Sequence, residues 1–166
     1  MNEPRGYVMR AVYRVLAYLL ALEVVVQAAA IAWALFGLTA WIEGGGVLDK
    51  AGMESESVVF DGVTGFMVHG MNGTMIVPAF ALLFLVSSFF ARFPGAVAWA
   101  GAAFVLVVAQ VALGIVAHSI PALGLLHGAV ALGLLVVALV AARRSSAADV
   151  AADAPVTAGA HHAPIA

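Results

Sequence analysis

From Phe93 to Ala142 the chain runs for fifty residues without one Asp, Glu, Lys or Arg. A membrane crossing takes about 20 apolar residues, so this stretch is too long for one span and suits two with a turn between them. His118-Ser119-Ile120-Pro121 supplies that turn, because proline fits the first turn of a new helix better than a helix interior. Composition agrees with a lipid solvent: 64% of residues are hydrophobic and 10% charged, against about 45–50% and about 25% in a soluble domain.

Two further apolar stretches precede the uncharged one. The expected fold is therefore all-α, an integral membrane four-helix bundle with spans at about 15–41, 62–90, 94–117 and 121–142. Residues 43–61 form an acidic loop with Gly44-Gly45-Gly46, five carboxylates and Lys50. Ala28-Ala29-Ala30 resembles a signal cleavage site, but the apolar run continues through Phe36, so the segment is expected to remain as a span.

Arg5, Arg10 and Arg14 precede the first span, Arg92 separates the second from the third, and Arg143-Arg144 follow the fourth. All six fall on one side of a four-span topology. Basic residues favour the cytoplasmic face, so both termini are expected inside, with the acidic loop outside a cytoplasmic (inner) membrane. Residues 1–14 then form a cytoplasmic N-terminus. The segment 143–166, rich in alanine and without apolar periodicity, is expected to be a disordered cytoplasmic tail. Its His161-His162 pair has nothing to orient it as a metal site. The absence of cysteine excludes disulfides and thiolate chemistry, and no basic run points to nucleic acid.

Two histidines carry the functional signal. His69 lies seven residues after Gly62 and His127 six after Pro121; at about 1.5 Å per residue, each sits about 10 Å into its helix. Ionisable groups at such depth are functional candidates by default. Gly62, Gly65, His69 and Gly73 share one helix face, with Gly70 beside them; Gly124, His127 and Gly128 cluster likewise. Two level imidazoles set among glycines suit a haem held by two histidines, with clearance for a flat macrocycle. Close helix packing at small residues and a different ligand or metal are the alternatives.

A polar layer accompanies them. Glu23 and Gln27 lie one turn apart in span one, Asn72 follows His69, and Gln110, Gly114 and His118 share one face of span three. A buried carboxylate is expected to be protonated or hydrogen-bonded. Glu23 is therefore a candidate for proton handling or quinone contact, or a fixer of helix register through Gln110 or Asn72. His118, near the water interface, is a candidate interfacial residue or haem-edge contact.

The stretch from His69 to Arg144 resembles one four-helix half of the haem A synthase family, on four features. The segment Val108-Ala109-Gln110-Val111-Ala112-Leu113-Gly114 is similar to the family's glutamine-leucine-glycine helix, and Leu125-Leu126-His127-Gly128-Ala129-Val130-Ala131-Leu132 to its leucine-histidine helix. Arg92 falls at the family's basic turn, and the histidines are 58 residues apart. The resemblance implies a haem half-site with His69 and His127 as axial ligands. It does not imply the oxygenase activity: four spans stand here for eight, Gly70 replaces an arginine, and the acidic loop with Glu54 and Glu56 lacks the cysteine pair of many members.

The resulting expectation is a b-type haem on His69 and His127, bordered by Gly70, Gly73, Gly124, Gly128, His118 and Gln110. Two neutral imidazoles fill the iron's coordination shell, which favours one-electron transfer, with a quinol or other membrane carrier as partner, or haem handling. Lys50 is the one cation of the loop available to propionates. The alternative is a haem-free membrane subunit or assembly factor, a homo-oligomer or part of a larger complex, whose polar residues fix packing. A transporter is a third class, for which four spans without an inverted repeat give little support.

Overall fold

The computed structural model describes residues 3–55 and 57–152. Six α-helices follow in order: α1 Glu3–Glu43, α2 Lys50–Ser55, α3 Thr64–Met71, α4 Val77–Ser88, α5 Ala96–Ala117 and α6 Leu123–Ala152. A single π turn, Asn72–Ile76, joins α3 to α4. No strand occurs among the described residues. Four helical segments are long and apolar enough to cross a membrane: Gly6–Glu43, Thr64–Ser88, Ala96–Ala117 and Leu123–Ala151. Helices suit that solvent because each satisfies its own backbone polar groups.

α1 has 41 residues, about 60 Å at 1.5 Å per residue, so it outreaches a hydrocarbon core of about 30 Å. It ends where Gly45 takes φ +96° and the Gly46 and Gly45 N–H groups donate to the Trp41 and Ile42 carbonyls at 3.0 and 2.9 Å. This paired closure favours glycine at the left-handed position. The acidic loop is not wholly irregular: Asp49 Oδ1 accepts from the Gly52 N–H at 2.7 Å, capping α2. The loop returns along α1, with Phe60 stacked on Trp41 at 5.9 Å between ring centres.

The helices close in the ring order α1, α6, α5, α4, back to α1. The core gathers at the arginine end, where Tyr13, Ala17, Leu20, Phe84, Ala100, Ala103, Ala138 and Ala141 are fully buried. Tyr13 packs on Phe84 and Phe93 at 4.5 and 5.1 Å between ring centres, and its hydroxyl donates to the Ala96 carbonyl at 3.1 Å. At the other end, α3 packs closely on α1 alone, and the ring is open.

One expectation is corrected: residues 143–152 continue the fourth helix and are not a disordered tail. Residues from Glu3 onward are helical and continuous with the first span. The cause is their mutual contact. Arg10 Nε and Arg14 Nη1 donate to the two Asp149 carboxylate oxygens at 2.5 and 2.6 Å, and Ser145 Oγ donates to the Arg10 carbonyl at 3.0 Å. Small residues at Ala141, Ala142 and Ser145, all fully buried, let α6 approach α1. The remainder of the expected tail, with His161-His162, lies outside the described residues, as does Glu56.

Candidate functional site

The second span is where local chemistry shapes the site. Pro78 has no N–H to donate and its ring crowds the preceding turn, so a regular α-helix cannot run through it. The chain widens instead: the Val77 N–H donates to the Asn72 carbonyl, five residues back. Such single π turns recur at functional sites. Here the turn begins three residues after His69. Gly65, upstream on the same face, lets α3 lie against α1: a Cβ there would meet the Ala30 carbonyl and come within 3.1 Å of the Ala34 Cβ.

His69 on α3 and His127 on α6 face each other, with ring centres 6.1 Å apart and ring planes at 62°. Each ring has a backbone partner. His127 Nδ1 is 3.2 Å from the Gln110 carbonyl of α5, and His69 Nδ1 is 3.1 Å from the Gln27 carbonyl of α1. A protonated Nδ1 donating to a carbonyl leaves Nε2 bare and able to bind a ligand.

Around the two rings lies a cavity of about 380 Å³, within the usual range for small-molecule sites. All four spans line it. Polar or glycine positions are Gln27, His69, Gly70, Gly73, Thr74, Gln110, Gly114, His118, His127 and Gly128, and the rest are aliphatic, among them Ile31, Val107, Ile115 and Leu132. Gly70, Thr74 and Gly128 are exposed, and Ile115 and Leu132 are 63% and 65% exposed. The cavity thus opens sideways, at the depth of the apolar helix surface.

The expected site residues divide into three groups. His69, His127, Gly70, Gly73, Gly128, Gln110, His118 and Gln27 are brought together on the cavity wall. Glu23 and Asn72 stand behind it: Asn72 Nδ2 donates to Glu23 Oε2 at 2.6 Å, so Asn72, and not Gln110, is the partner of the carboxyl. Gly124, grouped with His127 on the same helix face, is not among the residues that line the cavity.

Glycine at these places does different jobs. A Cβ on Gly114 would come within 3.4 Å of His127 Cε1, whereas on Gly70 or Gly128 it would meet nothing within 4 Å. Packing between these helices therefore explains Gly65 but not Gly70 or Gly128. Gln110 Oε1 is buried without a hydrogen-bond partner, although buried acceptors are usually satisfied. His118, exposed at the end of α5, bonds through Nδ1 to its own helix at the Gly114 carbonyl, 2.9 Å away.

Gln27 is the residue whose place in the site the chain order concealed. Its amide finds partners on both atoms with nitrogen turned to His69: Nε2 then donates to the His69 carbonyl at 3.0 Å and lies 2.8 Å from His69 Nδ1. Its Oε1 accepts from Asn72 Nδ2 at 3.1 Å and from the Gly73 N–H at 2.9 Å. Thr74 was missing from the expected site; its spacing four residues after Gly70 was the available signal, as the same spacing had marked Gly114 after Gln110.

Among the described residues, no three His, Cys, Asp or Glu side chains gather into a metal-binding group. Lys50, the cation considered for propionates, is on α2 and pairs with Glu54 at 3.6 Å. Compared with known proteins, the chain matches no family model, no curated protein and no solved structure.

Proposed function

We propose that the protein is a membrane-embedded b-type haem protein that uses His69 and His127 as axial ligands to move single electrons. The supporting observation is the histidine pair itself. Metal–imidazole bonds of about 2.0–2.1 Å, with the bonding nitrogen about 1.1 Å from the ring centre, put two imidazoles facing across one metal about 6.3 Å apart between centres. The observed separation is 6.1 Å. The 62° between ring planes is no obstacle, since each ring can turn about its own metal bond.

The donor set narrows the metal. Structural ions such as zinc take four protein ligands, and among the described residues only two histidines stand together here. A metal that brings its other ligands in a flat macrocycle suits two imidazoles, an apolar cavity, and glycines at Gly70 and Gly128 with open space before them. Among the described residues no cation lines the cavity; Gln27, Thr74, Gln110 and His118 are the polar side chains beside the ligands.

When bound, a haem supplies a one-electron carrier. The chain's own residues set its character. His69 and His127 together leave no position for oxygen, which favours electron transfer. The aliphatic wall excludes water, and the sideways opening suits a lipid-soluble reductant such as a quinol. The six arginines support an orientation with both termini in the cytoplasm of an inner-membrane protein; a reporter fused after Arg144 and found outside would reverse that orientation.

The test is a reduced-minus-oxidised optical spectrum of the detergent-purified protein, produced with haem in excess, beside His69→Ala and His127→Ala. Sharp low-spin bands, lost or converted to high spin in each variant, are expected. A colourless wild type would overturn the proposal in favour of a haem-free subunit.

A further inference from the structure

Resting on the haem proposal above, we infer that Gln27 is the positioning residue that sets the strength of His69 as a ligand. One residue offers two partners to the same ring nitrogen. The Gln27 carbonyl lies 3.1 Å from His69 Nδ1, and the Gln27 amide nitrogen 2.8 Å from it. These contacts call for opposite tautomers. With its proton on Nδ1 the ring donates to the carbonyl and keeps Nε2 bare; with Nδ1 bare it accepts from the amide, and the proton on Nε2 blocks a metal. A metal on Nε2 selects the first state, and the amide nitrogen keeps its bond to the His69 carbonyl at 3.0 Å.

The amide is itself held. Its oxygen accepts from the Gly73 N–H within the π turn and from Asn72, and Asn72 is anchored on Glu23 at 2.6 Å. His127 has no counterpart: its partner is the Gln110 backbone carbonyl, while the Gln110 amide oxygen has no partner. One axial ligand is therefore tunable by a side chain and the other is not.

The experiment combines optical spectra and a potentiometric titration of haem-loaded wild type, Gln27→Glu and Gln27→Met. An ionised Glu still accepts from Asn72 and Gly73 but offers no N–H, and a carboxylate on a ligand imidazole raises its basicity and favours oxidised iron. Gln27→Glu is expected to stay low-spin at a lower potential than wild type. Gln27→Met, of similar length without the amide, removes the donor that competes for Nδ1 and keeps the backbone carbonyl, so it is expected to stay low-spin and bind haem at least as tightly as wild type. A coloured Gln27→Glu protein with unchanged or higher potential overturns the role of Gln27 and leaves the haem proposal standing. A colourless wild type overturns both.

Discussion

The two ends of the bundle use similar small residues to opposite effect. At the arginine end, alanines at positions 17, 81, 100, 138 and 141 are fully buried between helices, and Asp149 ties α6 to Arg10 and Arg14 of α1. At the histidine end, Gly70 and Gly128 have nothing before them within 4 Å, and the helices stand around a cavity. Alanine fills its contact and stabilises the helix; glycine leaves space and weakens the helix by about 0.5–1 kcal/mol relative to alanine. The closed end acts as the clamp, and on the haem proposal the open end is where the ligand sits.

The comparison can be broken most severely from within each end. Ala138→Leu adds bulk where the alanine is fully buried and is expected to destabilise by about 1–3 kcal/mol or more through overpacking, read as a lower thermal midpoint in detergent. Gly128→Leu adds the same bulk where space is open and is expected to abolish haem uptake with the midpoint little changed. A protein unfolded by Gly128→Leu but indifferent to Ala138→Leu reverses the assignment of the two ends.

Asp149→Ala removes two ion pairs whose side chains are mostly buried. A loss of about 2–3 kcal/mol is expected from hydrogen bonds to charged groups, together with faster proteolysis after Arg144. Haem affinity should be unaffected, because the ion pairs and the cavity lie at opposite ends of the helices.

Pro78→Ala sharpens the role of the π turn. Restoring an N–H at position 78 allows regular α-helical bonding, which would rotate Gly73 away from Gln27. Weaker haem binding in a spectral titration is expected, alongside equal or greater stability. The smallest effects separate two glycines: Gly124→Ala and Gly70→Ala each gain up to about 1 kcal/mol of helix stability, but only Gly70→Ala, on the cavity wall, is expected to weaken haem binding. Equal effects on binding would remove the distinction between them.

Much of this was legible in the chain. The uncharged stretch and its two companions define four apolar helices, because the length of a span is fixed by the thickness of the lipid. The distance of His69 and His127 from their turns puts them at one level, because the rise of a helix is constant. Asn72 could be read as a partner for Glu23, since a carboxyl in that setting needs a hydrogen bond. Other features were hidden because they depend on contacts distant in sequence. Residues 143–152 show no apolar period, yet they are helical because Arg10 and Arg14, some 135 to 139 positions earlier, meet Asp149. Gly124 shares the glycine-rich neighbourhood of His127 but not the cavity.

The sequence by itself determined the apolar character and number of the long helices and the level of the two imidazoles, since hydropathy and helical rise are local and additive. The tertiary structure alone decided that those imidazoles face each other at 6.1 Å, that Gln27 reaches His69 from another helix, and that the glycines beside the histidines look into open space. Each depends on how one helix is rotated against the next. That rotation is fixed by the Gly65 contact and the π turn at Asn72–Ile76 acting together, and no single segment contains both.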